Sequence, residues 1–296
     1  MTDSPRIGFV GFGEAGFHLV RGLRSAGIAQ ISAYDINVTD LVRERASKAP
    51  VTLVTSNAEL ADASDIIFST VTANQAADAA KQTAPHLEAR HLYADLNSIS
   101  PPLKQSIEKI VLDAGARFVE VAVMAPVPPY DHKVPMLTGG VAAPEFATRM
   151  SPFGMQIEVG TVKVGTAAAT KMCRSIMIKG LEALLTECVM GATQYGADER
   201  VFASLAETFP GIDWPKLATY MVGRVVVHGE RRAREMEEVV ETLRSIGIDP
   251  IMAEATARRM DWSVQAGLKK KFGGKVPASY QQFAEVAMEQ GAVRVP

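Results

Sequence analysis

The fold class of this chain is indicated by the stretch Ile7-Gly-Phe-Val-Gly11-Phe-Gly13-Glu-Ala-Gly16. A short apolar strand runs into three glycines with Gly-x-Gly-x-x-Gly spacing, and a helical pattern follows directly. This spacing is informative because it stands in a strand–turn–helix setting. Gly11 permits a tight turn, Gly13 lets a pyrophosphate approach the backbone, and Gly16 lets the helix pack close to the strand. The stretch therefore predicts a dinucleotide-binding turn.

The cofactor contacts expected in this turn come from its six residues and from the end of the next strand. The six are Gly11, Phe12, Gly13, Glu14, Ala15 and Gly16. Asp35 ends the second predicted strand, where its carboxylate can accept hydrogen bonds from both ribose hydroxyls of NAD and would repel a 2′-phosphate. Neither Ile36 nor Asn37 supplies a cation for that phosphate. The sequence therefore favours NAD, with NADP still possible.

The first half of the chain alternates strand-like and helix-like patterns. Strands are predicted at 6–10, 31–34, 51–54, 65–71, 91–96 and 117–123, and helices at 15–26, 41–48, 74–83 and 102–114. Such alternation implies a parallel sheet that is covered by helices on both faces. The proline-rich segment 124–135 is predicted as a loop, because proline cannot sit in a central strand. The fold class is α/β, with an N-terminal Rossmann doubly wound sheet.

The second half changes character near residue 165. The pattern at 167–195 has few helix breakers and is long enough to suit a helix that joins two domains, and further helices are predicted at 231–245 and 251–266. We therefore expect a dinucleotide-binding Rossmann domain at 1–164. The remainder, 165–296, is expected to form an all-helical domain that carries substrate-binding and dimerisation surfaces.

Composition and charge exclude several classes of protein. The 296 residues are 47% hydrophobic and carry a net charge of −2, which supports neither a nucleic-acid partner nor an anionic membrane surface. Cys173 and Cys188 would lie roughly 22 Å apart on one helix, too far apart for a disulfide. No Cys/His cluster has zinc spacing, so no metal site is expected. No apolar run of about 20 residues is present, and the expected compartment is the cytoplasm.

With the glycine turn, four further segments resemble one family in order and spacing. They are Asp65-Ile-Ile-Phe-Ser-Thr-Val-Thr72, Asp95-Leu-Asn-Ser-Ile-Ser-Pro101, Val164-Gly-Thr-Ala-Ala-Ala-Thr-Lys171 and Arg234-Glu-Met236. The chain resembles the β-hydroxyacid dehydrogenases, which include 3-hydroxyisobutyrate and 6-phosphogluconate dehydrogenases. Its C-terminal part is similar to the phosphogluconate-dehydrogenase-like branch. The resemblance implies hydride transfer between NAD(P) and a small β-hydroxy acid, and a homodimer that associates through the helical domain.

The first two of these segments imply cofactor and substrate contacts. Thr70, Val71 and Thr72 would line the cofactor's ribose. The second segment resembles the family's Asp-x-Ser-Thr-Ile-x-Pro motif, with Asn97 and Ser98 in the places of Ser and Thr. Both keep hydrogen-bonding side chains, so the resemblance places Asn97 near the nicotinamide and Ser98 near the substrate.

Lys171 matches the family's catalytic lysine in the segment that opens the long helix. Oxidation of a hydroxyl requires loss of a hydride from carbon and of a proton from oxygen, and a lysine near the hydroxyl can take that proton. Desolvation would lower the pKa of such a lysine toward working pH. The other interpretation is a surface lysine at the start of a helix.

The predicted substrate residues show where the chain departs from the family. Met124 begins Met-Ala-Pro where the family has Ser-Gly-Gly, so a carboxylate cannot be bound there in the same way. Arg174 and Ser175 replace a pair of asparagines. Arg234 stands at the family's second lysine, with Arg231 one turn before it, although a solvated helix face explains these arginines equally well. We expect an altered substrate pocket.

Two other functions remain open. The chain could be a catalytically inactive NAD(H)-binding sensor, because the pocket loop is altered and the asparagine pair is missing. It could also be an imine or ketone reductase on the same scaffold, although imine reductases that resemble this architecture generally lack the lysine at Lys171. Lys179, further along the same helix, is expected to snorkel or to pair with Glu182 or Glu187.

Overall fold

The computed structural model describes residues 4–289 of the chain. The chain divides into two compact units, between Lys171 and Met172. This division falls inside one long helix, a few residues after the domain boundary that the sequence predicts between residues 164 and 165.

The first unit contains an eight-stranded sheet. Its strands are β1 (Ile7–Val10), β2 (Ile31–Tyr34), β3 (Thr52–Leu53), β4 (Ile66–Ser69), β5 (Leu92–Asp95), β6 (Arg117–Val123), β7 (Met136–Gly139) and β8 (Ile157–Thr161). Their order in the sheet is β3-β2-β1-β4-β5-β6-β7-β8. Strands β1 to β6 pair in parallel, β7 runs antiparallel to β6, and β8 is parallel to β7. The predicted Rossmann sheet is confirmed.

The helices of the first unit follow the strands in alternation. They are α1 (Glu14–Ser25), α2 (Asp40–Lys48), α3 (Asn57–Asp62), α4 (Ala76–Thr83), α5 (Pro101–Asp113) and α6 (Ala143–Met150), and α7 (Thr166–Gln194) begins in this unit. Two separate apolar cores form, one containing Phe9 and Phe68 and the other containing Ile67 and Tyr93. The side chains of neighbouring residues in one strand thus pack into opposite cores, as expected for a sheet that is covered on both faces.

The order in which the chain adds strands to the sheet reverses at β1. The chain moves from β1 to β2 and β3 on one side, then returns to β4, β5 and β6 on the other. In open α/β sheets, ligands bind outside the carboxyl ends of the strands at such a reversal. The loops after β1, β4 and β5 are therefore the part of this unit where a ligand is expected.

The second unit is helical. After α7 it contains α8 (Asp198–Thr208), α9 (Trp214–Arg244), α10 (Ile251–Gln265), α11 (Leu268–Lys271) and α12 (Tyr280–Met288). The largest of its apolar cores includes Trp214, Trp262 and Phe283. Within residues 4–289, no helix has the length and apolar character needed to cross a bilayer.

Helix α9 is much longer than the helix that the sequence predicts at 231–245. It begins at Trp214, where the Asp213 side chain accepts a hydrogen bond from the Lys216 N–H. Its interior glycines do not interrupt it. They stand where other residues pack closely against the helix. A Cβ at Gly229 would lie 2.1 Å from the Ser263 hydroxyl of α10. Gly229 therefore lets α9 and α10 approach each other.

Candidate active site

The glycine turn between β1 and α1 has the geometry of an anion-binding loop. Gly11 has a φ of +84°, and a Cβ at this position would lie 2.7 Å from Val71 Cγ1. A Cβ at Gly16 would lie 3.1 Å from both the Gly11 carbonyl oxygen and Thr70 Oγ1. Both positions therefore need glycine so that the turn can pack against the end of β4.

The space above this turn fits a dinucleotide phosphate. A Cβ at Gly13 would meet no described atom within 4 Å, and no side chain caps the first turn of α1. The first N–H groups of a helix have no partner inside it, and the helix dipole favours an anion there. Glu14 and Ala15 begin this turn, so their backbone N–H groups are suited to hold a pyrophosphate. The Phe12 side chain is fully buried in the core, which leaves only its backbone to the turn.

Asp35 connects the turn to the end of β2. Its Oδ2 accepts a hydrogen bond from the Phe12 N–H at 2.8 Å, and its Oδ1 accepts one from the Asn37 N–H at 2.9 Å. The carboxylate is thereby held at the carboxyl edge of the sheet. Each oxygen keeps a lone pair that a further donor can use, and the contact with the ribose hydroxyls stays a prediction.

The ends of β4 and β5 complete this edge. Thr70 Oγ1 donates to the Gly11 carbonyl at 2.7 Å. Asn97 is buried, its Oδ1 accepts from the Val71 N–H at 2.9 Å, and its Nδ2 donates to Ser69 Oγ at 2.9 Å. Asn97 therefore joins the two strand ends with its side-chain amide. Thr72 is exposed and donates to Asn74 Oδ1 at 2.7 Å.

Lys171 and Ser98 are brought together in the first unit. The Lys171 Nζ donates a hydrogen bond to Ser98 Oγ, although 73 residues separate them in the chain. Ser98 follows β5, and Lys171 lies in the second turn of α7. An amine beside a hydroxyl at the carboxyl edge of the sheet can exchange a proton with a group that is bound there.

Met124 begins the proline-rich loop that follows β6. Its N–H donates to the Pro135 carbonyl at 2.9 Å, so the two ends of the loop are joined where β7 begins. Met124 and Ala125 are half-buried, and Pro126 is exposed. The segment 124–135 forms no strand, which agrees with the prediction from its prolines.

The other predicted substrate residues lie in the helical unit. Arg174 is exposed, whereas Ser175 is buried and accepts a hydrogen bond from Lys179 Nζ at 2.9 Å. Arg231 donates to Glu235 Oε1 at 2.6 Å. Arg234 is exposed and pairs with Glu237 and with Asp261, the latter at 2.7 Å. Both arginines thus have carboxylate partners within the helical unit.

Lys179 is a buried cation of the helical unit. Lys179 pairs with Glu235, at 3.1 Å, and not with Glu182 or Glu187 as the sequence suggested. Burial lowers the pKa of Lys179, against the opposing effect of Glu235. Within the described residues, no group of three or more His, Cys, Asp or Glu side chains is placed to hold a metal ion.

Comparison with known proteins agrees with this geometry. Residues 6–140 match the NAD binding domain of 6-phosphogluconate dehydrogenase, and residues 192–263 match a domain of unknown function, DUF1932. The chain is 30% identical to a solved conserved protein of unknown function that is described as structurally similar to 3-hydroxyacid dehydrogenases. That match covers 91% of this chain and 99% of the other, with a TM-score of 0.73. The chain belongs to the β-hydroxyacid dehydrogenase family.

Two other relatives are similar to this chain over much of its length. A conserved hypothetical protein from Sinorhizobium meliloti is 37% identical, with 97% of this chain and 96% of that chain covered and a TM-score of 0.81. The mitochondrial 3-hydroxyisobutyrate dehydrogenase of Drosophila melanogaster is 29% identical over 217 residues, which are 71% of this chain and 65% of that protein. The family places the chain among NAD(P)-dependent oxidoreductases, and its N-terminal unit carries the NAD-binding domain.

Two buried charged residues have no role that the sequence predicts. Lys104 is 1% exposed and donates to the Asp95 carbonyl at 2.7 Å. Glu120 is fully buried in β6. One signal was available for each of them. Lys104 lies on the face of α5 that carries the buried Ile107 and Val111, and Glu120 interrupts the apolar run of a central strand.

Proposed function

We propose that this protein is an NAD(P)-dependent dehydrogenase that acts on a small β-hydroxy acid or on its carbonyl form, with Lys171 as the general acid and base. The observation that carries the proposal is the contact between Lys171 Nζ and Ser98 Oγ. This contact lies in the unit whose glycine turn and Asp35 are arranged for a dinucleotide.

The chemistry that the chain itself must supply is a proton transfer. A bound nicotinamide would supply the acceptor or donor of the hydride. In the oxidation direction, the substrate hydroxyl loses its proton to the neutral amine of Lys171 as the carbon becomes a carbonyl carbon. In the reduction direction, the ammonium of Lys171 returns the proton to the same oxygen. Ser98 orients the amine and can pass a hydrogen bond on to the substrate hydroxyl.

The substrate is proposed to differ from that of typical family members. Pro126 lacks an N–H, and Met124 lacks the hydroxyl that the family's serine offers. An acid group would then need a cation instead, and Arg174, Arg231 and Arg234 are the cations proposed for it. Ser175 is proposed as a hydrogen-bonding residue of the same pocket. A binding assay in which 3-hydroxyisobutyrate is the best ligand would contradict this part of the proposal.

A substrate-pool assay tests the proposed activity. The purified protein is incubated with NAD or NADP and a broad pool of hydroxy acids, and the reduced cofactor is followed by its fluorescence. We expect turnover with NAD in the parent protein and a loss of about 100-fold or more in Lys171→Ala, because general acid–base catalysis contributes roughly 100- to 10,000-fold. NADH binding to the variant, measured separately, should stay at the parent level.

A matched control separates the role of this lysine from a general effect of removing a lysine. Lys163 is exposed and lies eight residues before Lys171, so Lys163→Ala should retain full activity. Turnover that survives in Lys171→Ala would contradict the proposed role. Tight NADH binding without turnover in the parent would favour a catalytically inactive sensor instead.

Two further expectations remain proposals. We propose that the protein forms a homodimer through its helical unit, which is supported by the exposed apolar side chains of Met177 and Leu184 in α7 and of Tyr195 directly after it. The proposed compartment is the cytoplasm. Sedimentation velocity of the parent protein and of Leu184→Glu tests the dimer, because a charge at a buried contact would weaken association.

A further inference from the structure

Glu120 occupies an unusual place in the sheet. It is fully buried in the central strand β6, between Val119 and Val121, where an apolar residue is expected. Its strand neighbours in register are Asp95 of β5 and Gly139 of β7. A Cβ at Gly139 would lie 2.7 Å from Glu120 Oε2, so the glycine provides the space that the carboxylate fills.

The Glu120 carboxylate binds the start of the helix that carries Lys171. Its Oε2 accepts a hydrogen bond from the Gly165 N–H at 2.7 Å, and its Oε1 accepts one from the Ala168 N–H at 2.7 Å. One of these N–H groups lies in the first turn of α7 and the other in the residue just before the helix. The helix offers neither of them an internal acceptor. A negative charge at this position is also stabilised by the helix dipole.

Helix α7 is capped differently from other helices of this protein. Helices α2, α3, α9 and α12 are capped locally, by Thr39, Ser56, Asp213 and Ser279 respectively, each of which accepts from an N–H three residues later. Glu120 instead lies 45 residues before Gly165 in the chain and belongs to the sheet. A local cap only starts a helix, whereas this contact fixes where the helix stands relative to β6.

We propose that Glu120 is a positioning residue that sets the start of α7 on the sheet and thereby holds Lys171 against Ser98. Ala168 and Lys171 are one helical turn apart, so a displacement of the first turn moves the lysine with it. Ser98 is held independently, because its loop follows β5. The inference rests on the proposed role of Lys171 for its catalytic consequence, but the placement of the lysine can be measured without any substrate.

Chemical labelling measures that placement. Lys171 is acylated with a small amine reagent and its rate of modification is read by peptide mass spectrometry in four proteins, the parent, Ser98→Ala, Glu120→Gln and the double variant. Gln can accept only one of the two N–H groups, and its own amide opposes the other. We expect Ser98→Ala and Glu120→Gln each to raise the rate about fivefold, the equivalent of one ordinary hydrogen bond. The double variant should show no further increase.

Two outcomes overturn the proposal. The first is a rate of Lys171 acylation in Glu120→Gln that equals the parent rate. The second is a double variant in which Ser98→Ala raises the acylation rate as much as it does in the parent protein. Glu145→Gln is the matched control, because it removes the carboxylate that pairs with Arg117 and Arg149 in the same unit. Glu145→Gln should lower the free energy of unfolding without changing the rate of Lys171 acylation. If Glu120→Gln does not fold, Glu120→Asp replaces it, since it keeps the charge but is too short to reach both N–H groups.

Turnover provides the second readout, with the substrate found in the pool assay. We expect Glu120→Gln to lower kcat about 100-fold, as a displacement of about 1 Å can do, while KM and NADH binding stay at the parent level. A fall in NADH binding alone would indicate a structural role and would overturn the proposal. If the parent shows no turnover with any substrate, the proposed function fails, and the labelling experiment still decides the role of Glu120.

Discussion

The two units of this protein bury charged side chains in different ways. In the N-terminal unit, the buried charged side chains bind backbone groups, and Lys104 also pairs with the Asp95 carboxylate at 3.3 Å. Glu120 accepts two N–H groups, Lys104 donates to the Asp95 carbonyl, and Asp95 Oδ1 accepts from the Asn97 N–H at 2.9 Å. In the helical unit, buried charges bind one another. Glu182 is fully buried and pairs with Arg224 at 2.8 Å and with Arg232 at 2.9 Å.

This difference has a physical consequence. A set of side chains that pair only with one another can be replaced together by apolar residues at little cost in stability. A side chain that pairs with backbone cannot be replaced in this way, because the backbone groups remain and need a partner. The charges of the N-terminal unit therefore fix loops and a helix start at the candidate active site. Those of the helical unit join α7 to α9.

The largest expected effect on stability comes from breaking the side-chain set. Glu182→Gln leaves the Arg232 guanidinium, which is 2% exposed, without its carboxylate. Burial already lowers the pKa of Arg232 and raises that of Glu182, so neither charge is well solvated. We expect a loss of about 3–5 kcal/mol in unfolding free energy. Tryptophan fluorescence during urea unfolding measures it, because Trp214 and Trp262 both belong to the helical unit.

The double variant Glu182→Met/Arg232→Met tests whether the buried pair can be replaced by apolar residues. It removes both fully buried members of the set and should recover most of the lost stability. Recovery would show that the pair can be exchanged as a unit. A double variant as unstable as Glu182→Gln alone would contradict the distinction between the two units.

A smaller effect is expected from Lys104→Met in the N-terminal unit. The lysine donates to the Asp95 carbonyl and lies 3.3 Å from Asp95 Oδ2, while Oδ1 keeps its bond to the Asn97 N–H. We expect a loss of about 3 kcal/mol, since a buried carbonyl loses its donor and a buried carboxylate loses the ammonium group beside it. Urea unfolding followed by far-UV circular dichroism measures it. Hydrogen exchange should show faster exchange in the loop that carries Ser98.

Two variants decide whether this loss arises from the backbone contact. Lys109→Met removes an exposed lysine of the same helix and should leave both measurements unchanged. Adding Asp95→Leu to Lys104→Met should not restore stability, because the backbone carbonyl still lacks a donor. Full recovery in that double variant would mean that Lys104 matters only as a partner of the carboxylate.

Local sequence patterns predict much of the candidate site. The glycine turn follows β1 and Asp35 follows β2, as the patterns predict, and the structure brings together Lys171 and Ser98, which the family resemblance assigned separately to the site. Each of these features depends on a short stretch whose geometry is set by a few neighbouring residues, or on a motif whose order in the chain follows the order of the strands. Such features can be predicted from the sequence alone.

Features that depend on distant partners could not be predicted. Glu120 binds N–H groups 45 and 48 residues away, and nothing near it in the chain indicates them. Gly229 resembles a helix breaker until its packing against Ser263 is seen. Arg234 pairs with Asp261, 27 residues later, so an arginine that resembles a substrate ligand also has a partner in its own unit.

A buried histidine extends the comparison to pH, with the smallest expected effect. His91 is fully buried in the N-terminal unit and again binds backbone. Its Nδ1 accepts from the Glu88 N–H at 2.7 Å, which assigns the proton to Nε2, 2.9 Å from the Ala61 carbonyl. Burial lowers the pKa of His91, and the nearby Arg90 adds to this, against the opposing effect of the Ala61 carbonyl. Protonation of Nδ1 would break the bond to Glu88.

Because the folded state holds His91 neutral, the unfolded chain binds more protons below the ordinary histidine pKa of about 6.5, and stability must fall as the pH falls through that range. One such group contributes a slope of at most about 1.4 kcal/mol per pH unit. We expect His91→Gln to be less stable than the parent at neutral pH but to lose less stability on acidification from about pH 7.5 to about pH 5.5. Urea unfolding by circular dichroism measures both slopes, with the exposed His86→Gln as control. Equal slopes in all three proteins would mean that the backbone contacts of His91 tolerate the imidazolium, so that these contacts do not hold the side chain neutral.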